Sequence, residues 1–205
     1  EGGKEIAAAK ALIAVGRNPN TASLGLEDQG VELDAKGFII TDEFLRAHGN
    51  IYAVGDVNGR AMLAHAASHQ GEYVASHLAA DNMEPYDSGP VPWCIWGGVE
   101  SIRVGPTAEE LKNEDVKAEA SSVMLAANPI IQAAAETQGL VKVLWRDGRV
   151  AGVSAAGHGV THFSTQAVIM VSQGWTREDV PRYMFAHPTL DESLKAALLE
   201  TPKPL

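Results

Sequence analysis

A proline- and glycine-rich acidic segment, DNMEPYDSGPVP at 81–92, interrupts this chain of 205 residues near its middle. Proline and glycine stop helices and strands, and acidic residues favour contact with water, so the segment has the composition of a linker. We place a domain boundary near Gly89. A chain of this length forms one large domain or two small ones, and the linker favours two.

Before the linker, short strands lead into one long helix. The sequence predicts a strand over 6–15 that runs into a turn, two strands joined by a tight turn within 30–41, and a buried strand over 50–56. A helix over 62–80 is indicated by apolar residues at helical spacing, namely Leu63, Ala66, Ala67, Val74 and Leu78.

After the linker, strands pair in hairpins and helices follow them. Residues 93–104 predict a strand pair, and Thr107 with Glu110 has the spacing of a capping box that starts a helix. The other predicted elements are a strand-turn-strand over 140–157, a helix over 161–173 stopped by Gly174, a short helix opening at Thr176 and a last helix over 190–198. This second part is therefore predicted to be α+β with antiparallel hairpins.

Charge and cysteine content exclude several classes of protein. Sixteen basic and 26 acidic residues give a net charge of −10 without any basic run, which argues against nucleic acid as a partner. Cys94 is the single cysteine, so the chain has no internal disulfide, Cys-rich zinc site or in-chain redox pair, and a reducing, cytoplasmic location is favoured. We predict no metal site, and no stretch is apolar enough to span a membrane.

The segment NIYAVGDVNGRAMLAH at 50–65 is the first that suggests chemistry. Gly55 lets the backbone approach a ligand closely, and the carboxylate of Asp56 can accept a bond from a hydroxyl group. The helix that follows directs its partly positive amino end, about Met62 to His65, beyond the strand. An ordinary strand-turn-helix with a capping aspartate explains the same residues, and both interpretations stay open.

The segment HPTLDE at 187–192 is the second segment that suggests chemistry. Histidine exchanges protons near neutral pH, and a carboxylate such as Glu192 on its second ring nitrogen would fix the tautomer and raise the basicity of His187. Thr189 and Glu192 also have the spacing of a capping box, in which case Glu192 closes a helix start and His187 only packs. The residues alone do not decide between the two roles.

The order of these motifs resembles the C-terminal half of the pyridine nucleotide-disulfide oxidoreductase family, most closely its dihydrolipoamide dehydrogenase branch. The matching segments are LIAVGRNPNT, GLEDQGVELDAKGFI, NIYAVGDVNGRAMLAHAASHQG, VPWCIWGGVESIRVGPTAEELK, ETQGLVKVL and HPTLDESLKAAL. The resemblance implies an incomplete α/β FAD/NAD-binding portion followed by an α+β dimerisation domain with a mainly antiparallel sheet and flanking helices. Residues 1–15 would end the NAD-binding domain, 16–88 would belong to the FAD-binding domain and 89–205 would form the dimerisation domain.

The resemblance also assigns roles to the two segments. The residues that it matches to FAD binding are Gly55, Asp56, Met62, Leu63, Ala64 and His65. It matches His187 and Glu192 to an acid/base dyad at the interface of a homodimer, facing the redox disulfide of the other subunit. The dyad would take a proton from a dithiol such as a dihydrolipoyl group, and electrons would pass from the dithiol to FAD and then to NAD.

Several features of the family are not found in this sequence. Its two Gly-rich turns and its Cys-x4-Cys pair would lie upstream of Glu1, so we expect this chain to be a fragment of a larger flavoprotein and to be inactive alone. His162 replaces the usual glutamate and Asp191 the usual serine. The alternatives are another disulfide reductase or a transhydrogenase of the same family, or a non-catalytic dimerisation fragment.

Overall fold

The computed structural model describes residues 3, 5–80 and 84–205. Three residues of the predicted linker, Asp81, Asn82 and Met83, lie outside the described residues. The chain divides into two compact units, Glu1–Ser88 and Gly89–Leu205, and each is described by itself. None of the described helices is long and apolar enough to cross a membrane.

The first unit has little regular structure before its helix. Strands β1 (Arg46–His48) and β2 (Ile51–Tyr52) pair antiparallel, and helix α1 spans Ala64–Ala80. The hairpin predicted within 30–41 is reduced to a single bridge between Leu33 and Ile39. The chain turns tightly there because the Asp34 carboxylate accepts backbone N–H bonds from Lys36 and Phe38.

The strand predicted over 6–15 is wrong. These residues have no regular structure, and Leu12 and Val15 are 93% and 92% exposed. An apolar run becomes a strand only beside another strand that takes its backbone hydrogen bonds, and no described strand pairs with this segment. The strand predicted over 50–56 is likewise confined to β2, and a 3-10 turn, Gly55–Asn58, follows it.

Helix α1, which confirms the predicted helix, packs through both apolar and polar residues. Ala66 is buried, and Gln70, at 1% exposed, accepts bonds from Gly55 N at 2.7 Å and from Asn58 Nδ2 at 2.8 Å. Asn58 Nδ2 also donates to Ala53 O at 2.9 Å. The turn after β2 is therefore tied to the helix by buried hydrogen bonds.

The second unit is built on one six-stranded sheet in the order β3-β4-β7-β6-β5-β8, with every neighbouring pair antiparallel. The strands are β3 (Trp93–Trp96), β4 (Glu100–Val104), β5 (Ala118–Met124), β6 (Gly139–Arg146), β7 (Arg149–Gly157) and β8 (Lys203–Pro204). The predicted strand pair and the predicted hairpin of β6 and β7 are both confirmed. Strand β5 was not predicted, because its pattern AEASSVM is mostly small and polar.

Four helices flank the sheet, namely α2 (Ala108–Lys112), α3 (Pro129–Ala133), α4 (Ser164–Ser172) and α5 (Asp191–Leu199). The predicted capping box is present at the start of α2, where Thr107 and Glu110 exchange both bonds. The helix predicted to open at Thr176 is wrong. Only a 3-10 turn, Val180–Arg182, forms there, because Pro181 has no N–H to extend a helix.

An apolar core lies between the sheet and its helices. Its largest members include Trp145 on β6 and Phe163 at the start of α4, which are 1% and 0% exposed. Ala167 and Met170 of α4 are buried as predicted, while Val171 is half-buried because it lies at the edge of the helix face that meets the core. Leu194, Ala197 and Leu198 bury the inner face of α5, which fixes that helix against the sheet.

Candidate active site

His187 and Glu192 lie together at the start of α5. Nδ1 of His187 is 3.0 Å from Oε1 and 3.1 Å from Oε2 of Glu192. His187 belongs to the loop before the helix, and the His187–Pro188 peptide bond is cis. Glu192 lies in the first turn of α5, and the loop folds back so that the imidazole meets its carboxylate. The two residues that the sequence singled out are therefore in hydrogen-bonding contact.

Glu192 also serves the second role that the sequence left open. Its Oε2 accepts the backbone N–H of Thr189 at 3.0 Å, which is half of a capping box. The other half is not made: the Thr189 hydroxyl does not accept the Glu192 N–H, and it donates to Ala186 O at 2.7 Å. The Thr189 N–H bond, and after it the bond to His187, hold the pKa of Glu192 below its ordinary value, so the carboxylate is ionised at neutral pH.

The geometry prepares His187 to accept a proton. With Glu192 ionised, Nδ1 carries the hydrogen and donates it, which leaves the lone pair on Nε2. The His187 side chain is 71% exposed, and Nε2 has no hydrogen-bonding partner in the part of the chain that the structure describes. Glu192, at 29% exposed, is then placed to stabilise the imidazolium that forms when Nε2 takes up a proton.

The first unit contains the residues that the sequence predicts to bind a ligand, beginning with Gly55 and Asp56. Gly55 has a φ of 79°, and a Cβ at this position would lie 3.2 Å from that of Ala67 on α1, so the turn requires glycine. Asp56 follows with its side chain 54% exposed, and its Oδ2 accepts from Arg17 Nη1 at 3.1 Å. The same nitrogen donates to Met62 O at 2.7 Å. Arg17, which the sequence did not single out, thus joins Asp56 to the segment before α1.

A cavity of about 520 Å³ opens beside Asp56. Its walls are formed by Arg17, Asn18, Pro19, Asn20, Phe38, Asp56, Val57 and Met62. Asp56 and Met62 thus border one space, while Leu63, Ala64 and His65 lie directly after Met62 at the start of α1, outside those walls. An accessible carboxylate beside such a space suits a polyhydroxyl chain like the ribityl group of FAD.

The remaining chemistry-bearing groups of the described residues form no further centre. Among residues 3, 5–80 and 84–205, no group of three or more His, Cys, Asp or Glu side chains is arranged to hold a metal ion. Cys94 is a free, half-buried thiol, and burial raises its pKa, which keeps it protonated and unreactive.

Comparison with known proteins gives the family. Residues 1–71 match the family model of pyridine nucleotide-disulphide oxidoreductases, and residues 91–198 match the model of the dimerisation domain of these enzymes. The chain is 36% identical over 191 residues to the mitochondrial dihydrolipoyl dehydrogenase of Homo sapiens, covering 92% of this chain and 37% of that protein. It is 34% identical to the dihydrolipoyl dehydrogenase of Bacillus subtilis, covering 98% of this chain and 44% of that protein.

Solved structures share the fold. The flavoprotein disulfide reductase RclA of Escherichia coli, in its Cu(II) complex, superposes with a TM-score of 0.83 at 24% identity over 90% of this chain and 43% of RclA. LpdA of Mycobacterium tuberculosis superposes with a TM-score of 0.79 at 24% identity, over 88% of this chain and 40% of LpdA. The chain thus spans less than half the length of these relatives, and the predicted fold class is confirmed. Because the dimerisation-domain model alone matches more than half of it, the chain belongs to the pyridine nucleotide-disulphide oxidoreductase family.

Proposed function

We propose that this chain is the C-terminal part of a flavin-dependent oxidoreductase like dihydrolipoyl dehydrogenase, which passes electrons from a dithiol through a disulfide and FAD to NAD. The observation that carries the proposal is the contact of His187 Nδ1 with both oxygens of Glu192, which leaves Nε2 accessible. The identity of 34% to the Bacillus subtilis enzyme supports the lipoyl-type substrate.

The proton step follows from the geometry of the pair. Nε2 of His187 takes the proton from one thiol of the dithiol, and Glu192 stays ionised beside the resulting imidazolium. The thiolate then attacks one sulfur of the redox disulfide, so that a new S–S bond forms while the old one breaks and releases a second thiolate. His187 passes its proton to the released thiolate and then takes the proton of the second substrate thiol. This second thiolate attacks the substrate sulfur of the mixed disulfide, so that the substrate S–S bond forms as the enzyme–substrate S–S bond breaks, and both electrons remain on the enzyme as two reduced sulfurs.

The first unit would hold the flavin. Asp56 would accept a hydrogen bond from a ribityl hydroxyl. This bond would compete with the exposed ion pair of Asp56 with Arg17. The other residues proposed to contact FAD are Gly55, Met62, Leu63, Ala64 and His65. FAD held there would supply the redox chemistry that carries an electron pair from the reduced disulfide to NAD.

We propose that the full-length protein is a homodimer, because residues 91–198 match the model of a dimerisation domain. Cys94 is the single cysteine of this sequence, and it lies on β3, so the reacting sulfurs come from elsewhere. We propose that they belong to the second subunit of the full-length dimer, in residues outside this sequence. A reducing compartment such as the cytoplasm suits the free Cys94 thiol.

The test is His187→Gln in the full-length natural protein. We expect dithiol oxidation with NAD to fall by roughly 100-fold or more, because general base catalysis is typically of that size, while visible FAD absorbance is retained. His158→Gln, which changes an exposed histidine of the same unit, serves as the control and should leave turnover unchanged.

Three results would each contradict the proposal. Unchanged turnover in His187→Gln would show that the histidine only packs. A full-length protein without flavin colour would indicate that this chain serves only in dimerisation and takes no part in catalysis. Peptide mapping that finds Gly-rich turns without a Cys-x4-Cys pair would instead point to a relative such as a transhydrogenase.

A further inference from the structure

Asn128 is a buried polar residue that lies in sequence far from the dyad yet contacts its loop. It follows β5 after the 3-10 turn Leu125–Ala127 and stands at the N-cap of α3, with 4% of its surface exposed. Its side-chain nitrogen Nδ2 donates to Thr189 O at 2.9 Å and to Ser193 Oγ at 3.0 Å. The contact therefore joins segments separated by 61 to 65 residues.

The Asn128 amide cannot easily reorient. Its Oδ1 accepts the backbone N–H of Ile130 at 2.9 Å, so that the oxygen and both hydrogens of the amide are engaged. The backbone around it is anchored as well, since Leu125 and Ile131 are fully buried in the core. Asn128 is thus a fixed donor presented to the loop that carries His187.

The two acceptors of Asn128 lie on either side of Glu192. Thr189 is the residue whose N–H binds the Glu192 carboxylate, and Ser193 follows Glu192 in α5. We propose that Asn128 is a positioning residue for the His187–Glu192 pair, holding the loop and the first turn of α5 at the spacing that lets the carboxylate reach the imidazole. This inference rests on the proposed function of the pair.

The exposure of the pair explains why such an anchor is needed. His187 is 71% exposed, and an exposed ion pair is weak because water and salt screen it. Core packing fixes α5 on its inner face, but a cavity of about 180 Å³ borders Asn128, Glu192 and Ser193, so the space beside the carboxylate is not filled by side chains. Hydrogen bonds from a rigid donor are then what fixes the direction of Glu192.

The test measures two reactions of the full-length protein. We expect Asn128→Ala to lower kcat for dithiol oxidation by about tenfold or more, since small displacements of a catalytic group cost that much, while NADH-driven reduction of a dye that takes electrons from the flavin is unchanged. Asn128→Asp keeps the oxygen that caps α3 but loses both donors, so it should show the same loss.

Two further variants separate positioning from stability and from the role of His187. Ser121 is as buried as Asn128, and its hydroxyl donates to Ala197 O at 2.6 Å. Ser121→Ala removes this hydroxyl and should lower the unfolding midpoint without lowering dithiol turnover. In a His187→Gln background, Asn128→Ala should cause no further loss of turnover.

The outcomes distinguish this inference from the proposed function. Normal turnover in His187→Gln would overturn the proposed function itself. Slow turnover in His187→Gln together with normal turnover in both Asn128 variants would overturn only the role of Asn128. An equal loss of dye reduction and dithiol oxidation in Asn128→Ala would also overturn it, because the defect would then be general.

Discussion

The two units of this chain differ in the interactions that stabilise each of them internally. In the second unit one apolar core, which includes Trp145 and Phe163, runs between a six-stranded sheet and its helices. In the first unit the main apolar cluster of the described residues consists of Val31, Ile39 and Ala53 with half-buried neighbours, and buried Gln70 and Asn58 supply hydrogen bonds. Asp56 is thus carried by a turn that buried hydrogen bonds hold, whereas Glu192 of the proposed dyad is carried by a helix fixed in a core.

The first way to test this comparison is to remove the same side chain from each core. Ile102→Ala in the second unit should cost about 4 kcal/mol of unfolding free energy and Ile39→Ala in the first about 2 kcal/mol, because a cavity in a dense core collapses less. The two isoleucines are 3% and 6% exposed, so their burial is matched. Denaturant unfolding of the chain measures both, and equal losses would contradict the contrast.

Gln70→Ala should weaken the first unit through lost polar contacts. Gly55 N and Asn58 Nδ2 would lose their buried acceptor, which should cost about 3 kcal/mol for two unsatisfied donors. Glu72→Ala, at an exposed position of the same helix, is the control for helix propensity. In the full-length protein the variant should also release FAD more readily, since the turn at Gly55 places Asp56. Unaltered stability and FAD retention would show that the turn forms without Gln70.

A smaller effect is expected in the second unit at Glu100, which accepts the Thr161 hydroxyl at 2.7 Å. That bond holds the pKa of Glu100 below its ordinary value against the opposing effect of burial. Because the pKa of Glu100 is lower in the folded state, its ionisation stabilises the fold at pH values above the ordinary carboxyl pKa. This stabilisation is lost as the pH falls through the pKa of the folded state.

Thr161→Val should therefore cost about 1 kcal/mol near neutral pH and less at about pH 2, because protonation of Glu100 weakens its bond to the hydroxyl. Unfolding curves of both proteins at the two pH values measure the difference. A cost that does not change with pH would mean that Thr161 acts by packing rather than through the Glu100 carboxylate.

The second unit was the more predictable from sequence, because its signals are local. The hairpin of β6 and β7 turns at Asp147-Gly148, and the capping box at Thr107 needs residues only three apart. The pairing of His187 with Glu192 is equally short in sequence. Asn128 carried no such signal, because its partners are 61 and 65 residues away and only the fold brings them together.

The first unit was predicted less well because its apolar runs do not by themselves specify partners. The segment 6–15 has the apolar content of a strand, but Leu12 and Val15 are exposed. The pattern GVELDAKGFIIT alternates like a hairpin, yet the chain makes one bridge there, since the Asp34 carboxylate takes N–H groups that a longer ladder would use. Helix α1 was foreseen because helical spacing is a property of the segment itself.

The double engagement of Glu192 has a consequence for how descendants of this chain would diverge. Its carboxylate binds both His187 and the N–H of Thr189, so it contributes to the folding of α5 even in a protein that has lost its chemistry. Selection for a stable helix start would preserve the glutamate after selection for the proposed proton transfer had ended, whereas His187, exposed and bonded only to Glu192, would be free to change. In such a lineage, the loss of the histidine would mark the end of activity, and the persistence of the glutamate would not.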